Sequence, residues 1–168
     1  MIERGLYYAN SDFSDMIRTL GGQWEDTKHR PIVCLIKSSE HDDLYWAIPM
    51  GKWSHRSEEQ QKRIQGYLDL PDKNIESCYY HLGRTTSKSI FFISDAIPIT
   101  DKYIESAHVG ADNKHFIIKN PNLIAELERK LFRILAYDNS RNGFFRQNIS
   151  KVKEHLIAEL DANKSGQQ

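Results

Sequence analysis

Strand-like apolar runs fill the first two thirds of this chain of 168 residues, and its two longest helix patterns come last. The runs are rich in β-branched and aromatic residues, and they cover 5–9, 32–37, 44–48, 78–82 and 89–94. Strands that precede the main helices favour an α+β architecture over an alternating parallel sheet. We therefore predict a strongly curved antiparallel sheet with peripheral helices and a C-terminal helical pair, in a single domain over 1–168.

Capping signals predict where two helices begin. Ser57 followed by Gln60 has the spacing of a capping box, which predicts a helix over 57–68. Asn120 followed by Pro121 combines a capping side chain with proline at the first helical position. The apolar residues after this pair recur at helical spacing, so the second helix should pack on the sheet.

Three further boundaries follow from residue types. Pro49 lacks the N–H that a strand ladder needs, so we expect the run 44–48 to end there. A last helix is predicted from about residue 144 to residue 160. The polar tail 161–168 is predicted to be disordered.

Composition limits the possible functions. The 39% hydrophobic and 27% charged residues are typical of a soluble globular protein. The formal net charge is zero, so any nucleic-acid site must be a local patch. No run approaches the length of a membrane span and the first residues do not form a signal peptide, so we expect a cytoplasmic protein without membrane contact. Cys34 and Cys78 lie in apolar runs without metal-ligand spacing, and we expect reduced core residues.

The loop after the third run has the strongest chemical signal. Gly51 permits a tight backbone path, and Lys52, Ser54, His55 and Arg56 then bring together two fixed cations, a hydroxyl and an imidazole without a carboxylate. These groups suit a phosphodiester, because cations meet its charge, a hydroxyl donates to its oxygens and an imidazole transfers protons. The same composition also fits an ordinary solvated loop.

A second basic loop reads Gly-Arg-Thr-Thr-Ser-Lys over 83–88 and contains no acid. Arg84, Thr85 and Lys88 are predicted to contact RNA phosphate, although a plain hairpin turn would have the same composition. His81 and Trp53 are also candidates for RNA contact. A histidine inside a strand such as His81 is more often a structural residue of the sheet, and Trp53 can stack on a base.

Three stretches, in order along the chain, resemble one protein family. They are the strand ending in Tyr-Trp-Ala-Ile-Pro at 45–49 before its Lys/Ser/His loop, the segments 79–85 and 89–98, and the amphipathic helix from Pro121. This pattern resembles the endoribonuclease toxins of type III toxin-antitoxin systems, the ToxN, AbiQ and TenpN group, with the TenpN branch most similar.

The resemblance implies a MazF-like, partly closed antiparallel barrel decorated with helices. It implies metal-independent cleavage of RNA, with cellular or phage mRNA as the substrate and no cofactor. It also implies inhibition by a small repeated RNA antitoxin, whose pseudoknotted units bind a basic groove and close with the toxin into a cyclic assembly.

The chain departs from this family at one point. Toxins of the ToxN branch follow the strand-ending proline with a Thr-Ser pair close to the scissile phosphate, whereas this chain has Met50, Gly51 and Lys52. The position of the loop is therefore carried over from the resemblance, and the roles of single residues are assigned by chemistry.

RNA cleavage without a metal uses the 2′-hydroxyl as nucleophile and leaves a 2′,3′-cyclic phosphate. The enzyme must help to remove the 2′ proton, neutralise the phosphorane and protonate the leaving oxygen. We assign proton transfer to His55, phosphorane stabilisation to Lys52 and Arg30, and phosphate orientation to Ser54 and Arg56.

Arg30 enters this set from the segment Lys28, His29 and Arg30, which precedes the strand expected to pair with 44–48. Members of the resembling family have a functional lysine near this place. Lys28 and His29 are predicted to contact RNA.

Two other classes of function compete with the nuclease. A non-catalytic RNA- or protein-binding module would use the same basic patches and would not need the imidazole of His55. A phosphoesterase would normally show metal-binding carboxylates or a glycine-rich phosphate loop, and the sequence has neither. His29, His41 and His108 have no spacing that suggests a metal, and we predict none.

Overall fold

The computed structural model describes residues 1–25 and 29–165. Within these residues the chain forms strands and α-helices joined by loops and short 3-10 turns. In chain order the elements are β1 (Gly5–Ala9), α1 (Ser11–Thr19), β2 (Ile32–Lys37), β3 (Tyr45–Lys52), α2 (Glu58–Leu68), β4 (Tyr80–Arg84), β5 (Lys88–Phe92), β6 (Ile97–Ile99), β7 (Ile104–Ala107), α3 (Pro121–Ser140) and α4 (Ile149–Ser165).

All seven strands belong to one antiparallel sheet. Its order is β4-β5-β3-β2-β1-β7, and β6 pairs with the first part of β3. Among the described residues no strand pairing joins β4 to β7, so the sheet stays open. The predicted α+β fold with a curved antiparallel sheet and peripheral helices is confirmed.

β3 runs through Pro49 to Lys52, so the prediction that Pro49 ends this strand is wrong. The N–H of Met50 donates to the carbonyl of Pro31 at 3.0 Å, and alternate amides of a strand face opposite sides, so the Pro49 nitrogen faces away from β2. On that other side, pairing with β6 has ended at Ala47 and pairing with β5 begins at Met50. The missing N–H therefore lies where no strand partner is present.

The predicted capping signals are present. Ser57 Oγ accepts from the backbone N–H of Gln60 at 3.2 Å, and Gln60 Oε1 accepts from that of Ser57 at 3.1 Å. The Asn120 side chain accepts from the amides of Asn122 and Leu123 at the start of α3. None of the helices in the described ranges is both long and apolar enough to cross a membrane.

α3 covers one face of the sheet with a continuous apolar side. Its buried apolar residues are Leu123, Ile124, Leu127, Leu131 and Ile134, and they belong to a cluster with Leu6, Val33, Ile48 and Phe91 of the sheet. Gly83 of β4 lets the helix approach closely, because a methyl group there would lie 2.6 Å from Leu123 Cδ1. The free cysteines Cys34 and Cys78 are both buried, which confirms their predicted core positions.

The C-terminal helix begins later and extends further than predicted. The segment before Ile149 is irregular because Gln147 is buried and its amide donates to two backbone carbonyls between β5 and β6. Asn148 has a positive φ of 57°, which is incompatible with a helix running through it. Residues 161–165 continue α4, so the prediction of disorder is wrong for them, and 166–168 lie outside the described residues.

The packing of α3 generates a stability prediction. We expect Leu127→Ala to lower the free energy of unfolding by about 2–5 kcal/mol, because Leu127 is fully buried and its truncation leaves a cavity. Phe132→Ala on the exposed side of the same helix should change it by no more than about 0.5 kcal/mol. Urea unfolding of both variants measures the difference, and equal losses would contradict the described packing.

Candidate active site

A cleft of about 270 Å³ opens beside the end of β3. Its lining combines fixed cations, imidazoles and hydroxyls, and within the described part of the chain it includes no carboxylate. The polar side chains that line it are Tyr8, His29, Arg30, Lys52, His55, Arg56, Thr85, Thr86, Ser87, Ser89 and His108. Such a lining favours an anionic ligand.

Strand pairing brings distant segments of the chain to this cleft. Ile32 pairs with Pro49, so the residues just before β2 lie beside the end of β3. Lys52 pairs with Ser89, which brings in the turn 85–87 between β4 and β5. All three loops predicted to be basic therefore adjoin the end of one strand.

A one-turn 3-10 helix, Trp53–His55, follows β3 and sets the directions of its side chains. The Trp53 ring packs against Ile64 and its neighbours in a small apolar cluster. Gln61 of α2 donates from Nε2 to the carbonyl of Arg56 at 3.1 Å and so holds the end of the turn. As a result Lys52 and His55, on either side of the anchored tryptophan, both line the cleft.

Arg30 and Arg56 form the electrostatic centre of the cleft. Their guanidinium carbons lie 5.4 and 5.8 Å from the centroid of the Phe92 ring. The Nε atom of each is buried and has no hydrogen-bond partner among the described residues. Burial and the neighbouring Arg30 charge lower the pKa of Arg56. Two like charges with unpartnered donors form a binding site for an anion.

The turn between β4 and β5 adds hydroxyl groups. Thr85 and Ser89 share a hydrogen bond of 2.8 Å between their hydroxyls, and Ser89 Oγ donates to the Ser87 carbonyl at 3.1 Å. The Ser87 hydroxyl is buried without a partner in the described structure. It is therefore an unused hydrogen-bond donor in the wall of the cleft.

Another wall of the cleft consists of aromatic and imidazole rings. Tyr8 stacks on His29 with ring centroids 4.3 Å apart, and His29 Nε2 lies 2.8 Å from a carboxylate oxygen of Glu105. The Tyr8 hydroxyl lies 2.8 Å from Nδ1 of His108. Burial, followed by the nearby His115, lowers the pKa of His108.

The cleft contains six of the residues predicted from the sequence: His29, Arg30, Lys52, His55, Arg56 and Thr85. Lys28 lies outside the described residues. Five others do not line it: Trp53, Ser54, His81, Arg84 and Lys88.

The residues outside the cleft have other surroundings. Lys88 Nζ lies 5.2 Å from the centroid of the Trp53 ring. His81 is half-buried on β4, where burial, reinforced by Lys130 of α3, lowers its pKa to about 4. Ser54 and Arg84 are exposed. His81 thus lies on β4 facing α3, away from the cleft.

Sequence reasoning missed Tyr8, Ser87 and His108. Tyr8 looked like a strand residue, and His108 lies in a stretch without a clear pattern and was considered only as a metal ligand. The described residues contain no group of three or more His, Cys, Asp or Glu side chains arranged to hold a metal ion. The one available signal was the absence of acids near Ser87.

A wider groove of about 420 Å³ continues from the cleft and shares Arg30 and Arg56 with it. It adds Arg63 of α2, the ion pair of Arg146 with Asp95 at 2.9 Å, and the carboxylate of Glu25. Aromatic side chains form much of its wall: Tyr67, Tyr79, Tyr80, Phe92, Phe144 and Phe145. Such rings offer surfaces on which bases can stack.

Comparison with known proteins identifies the fold. No family model and no curated protein matches the sequence. The chain is similar to the solved structure of AbiQ, a lactococcal anti-phage endoribonuclease belonging to the type III toxin-antitoxin system, with a TM-score of 0.57 over 98% of both chains and 11% sequence identity. The resemblance inferred from the sequence is confirmed as a likeness of fold: this chain has the fold of AbiQ over nearly its whole length.

Proposed function

We propose that this protein is a metal-independent endoribonuclease toxin of a type III toxin-antitoxin system. The observation that carries the proposal is the lining of the cleft, which among residues 1–25 and 29–165 includes no carboxylate and leaves donors of Arg30 and Arg56 unpartnered, while His55 supplies an imidazole. The fold of AbiQ supports the same class of activity. Cleavage proceeds by attack of the 2′-hydroxyl on the adjacent phosphorus and yields a 2′,3′-cyclic phosphate and a 5′-hydroxyl.

The scissile phosphate binds between Arg30 and Arg56. Guanidinium groups are weakly hydrated and donate in a fixed fork, so they lose little on leaving water for a phosphate. Lys52 adds a third charge from the end of β3 and stabilises the phosphorane. From the sequence, Arg56 was assigned only to phosphate orientation. Here it also stabilises the negative charge of the phosphate together with Arg30.

Proton transfer belongs to His55, which lines the cleft beside Lys52. Ser54 lies outside the lining, and the buried hydroxyl of Ser87 takes over the role of orienting a phosphate oxygen. The chain thus replaces the Thr-Ser pair of the ToxN branch with a hydroxyl from a different strand turn.

The partners follow from the same chemistry. The substrate is cellular or phage mRNA, which enters along the groove lined by Arg63 and the aromatic side chains. The inhibitor is a small repeated RNA antitoxin that covers this groove and closes with the toxin into a cyclic assembly in the cytoplasm. The TenpN branch is the proposed subfamily.

A non-catalytic RNA-binding module is the competing proposal. It would use Arg30, Arg56 and the aromatic groove in the same way, since none of these groups needs to transfer a proton. The two proposals differ in their dependence on His55.

The first prediction concerns the phosphate site. We expect inorganic phosphate to stabilise the protein, by about 1.4 kcal/mol at a concentration of about ten times the Kd. Arg56→Met should remove this stabilisation, because it removes one of the two guanidinium groups between which the phosphate binds. Arg133→Met on α3, which lies outside the cleft, is the matched control. Thermal melting with and without phosphate measures the effect, and an equal shift in both variants would place the anion elsewhere.

The second prediction concerns catalysis. Purified protein incubated with a long RNA in excess EDTA should cut it at discrete sites and leave cyclic-phosphate ends. We expect His55→Ala to slow cleavage by about a hundredfold to ten-thousandfold. Lys52→Ala should slow it by about a hundredfold to a thousandfold. End mapping and timed gel assays measure both.

Two variants on α4, His155→Ala and Lys151→Ala, serve as controls and should cut like the wild type. RNA that stays intact but bound would support the binding module instead. Cleavage that survives both cleft substitutions would mean that other residues perform the reaction.

A further inference from the structure

The cleft contains an imidazole besides His55, and its backbone is fixed from two sides. The N–H of His108 donates to the carbonyl of Leu6 in β1 at 2.9 Å, and the carbonyl of His108 accepts from the N–H of Phe116 at 2.9 Å. The backbone of His108 is therefore hydrogen-bonded both to β1 and to the segment that contains Phe116. Its ring lines the cleft together with Tyr8 and His55.

The ring of His108 is also held. Its Nδ1 atom and the Tyr8 hydroxyl are 2.8 Å apart. Tyr8 in turn stacks on His29, which Glu105 holds at 2.8 Å. The other ring nitrogen of His108, Nε2, makes no hydrogen bond to any residue in the described ranges. One nitrogen is therefore anchored and the other is available to a ligand.

Burial and the neighbouring His115 favour the neutral form of His108. Burial lowers its pKa, and His115, whose Nε2 bonds to the carbonyl of Leu6 at 2.8 Å, lowers it further. The other titratable groups in this wall are Tyr8 of β1, His29 before β2, and Glu105 of β7 through its contact with His29. A neutral imidazole has one N–H, and in the tautomer whose Nδ1–H donates to the Tyr8 hydroxyl, Nε2 is the proton acceptor.

We infer that His108 is the general base of the cleavage reaction and that Tyr8 is its positioning residue. The inference rests on the proposed ribonuclease function and assigns the acid role to His55. As the 2′ oxygen bonds to phosphorus, its proton moves to Nε2 of His108. The bond from phosphorus to the 5′ oxygen breaks, and this oxygen takes a proton from the protonated form of His55. Exchange with water then restores both imidazoles.

The test is the pH dependence of cleavage in EDTA for the wild type and two variants. The wild-type rate should rise with pH as His108 loses its proton, below the range of an ordinary histidine because its pKa is lowered. His108→Ala should cleave RNA about a hundredfold to ten-thousandfold more slowly than the wild type, and its rate should no longer rise with pH in this range. Tyr8→Phe keeps the ring that stacks on His29. It should lower the cleavage rate about tenfold and shift the pH at which the rate rises, while the affinity for RNA stays the same.

A second measurement does not depend on cleavage. Nitrogen NMR of the histidine side chains should show the proton of neutral His108 on Nδ1, and Tyr8→Phe should weaken this preference. Thermal melting confirms that both variants are folded. A proton found on Nε2 would overturn the base assignment even if the variants were slow.

The outcomes separate the two proposals. Wild-type cleavage that His108→Ala leaves unchanged refutes the role of His108 while the ribonuclease stands. Wild-type protein that cuts no RNA refutes the proposed function, and the catalytic role of His108 falls with it.

Discussion

The change of partner along β3 is the arrangement on which the site depends. On one side this strand pairs with β2 up to Pro49, and on the other it pairs with β6 up to Ala47 and with β5 from Met50. One strand therefore belongs to two parts of the sheet, and its end adjoins both the segment before β2 and the turn after β4. Proline suits this crossover, because its nitrogen faces the gap between two successive partners. The same residue that seemed to end a strand instead marks the point at which the cleft begins.

The electrostatics of the cleft are local. The chain has no net charge, yet the cleft has cations without lining carboxylates. Asp95 is bound to Arg146 and Glu40 to Lys153, both outside the cleft, while Glu105 contacts His29 of the cleft wall at 2.8 Å. Arg30 and Arg56 lie against the Phe92 ring, where the face of an aromatic ring partly offsets the cost of removing them from water. The field is thus concentrated over a few ångströms and is short-ranged at physiological salt.

Sequence signals that act within a few residues were read correctly. The capping box at Ser57 and the helix start at Asn120 are examples, since each depends on neighbours in the chain. The basic loop with Lys52 and His55 is also a local pattern, and both residues line the cleft. Trp53 and Ser54 belong to that same loop but lie outside the cleft, because one 3-10 turn sends adjacent side chains in different directions. The spacing of residues alone does not specify this turn.

Long-range pairing accounts for what the sequence did not reveal. His108 reaches the cleft only because its backbone bonds to Leu6, far away in the chain, and Ser87 reaches it through the pairing of β5 with β3. Similarly, the last helix begins late because Gln147 satisfies carbonyls of a distant loop. None of these contacts produces a periodic pattern in the sequence, so they can be predicted only once the order of the strands in the sheet is known.

The close approach at Gly83 has a consequence for how this fold can vary. The turn that presents Thr85 and Ser87 is the tip of the hairpin whose other surface rests on Leu123 of α3. A larger side chain at Gly83 would wedge this hairpin away from the helix and tilt its tip. The width of the cleft therefore depends on the packing of α3, although no residue of α3 lines the cleft. Substitutions on α3 are a route by which related chains could accept RNA of a different shape.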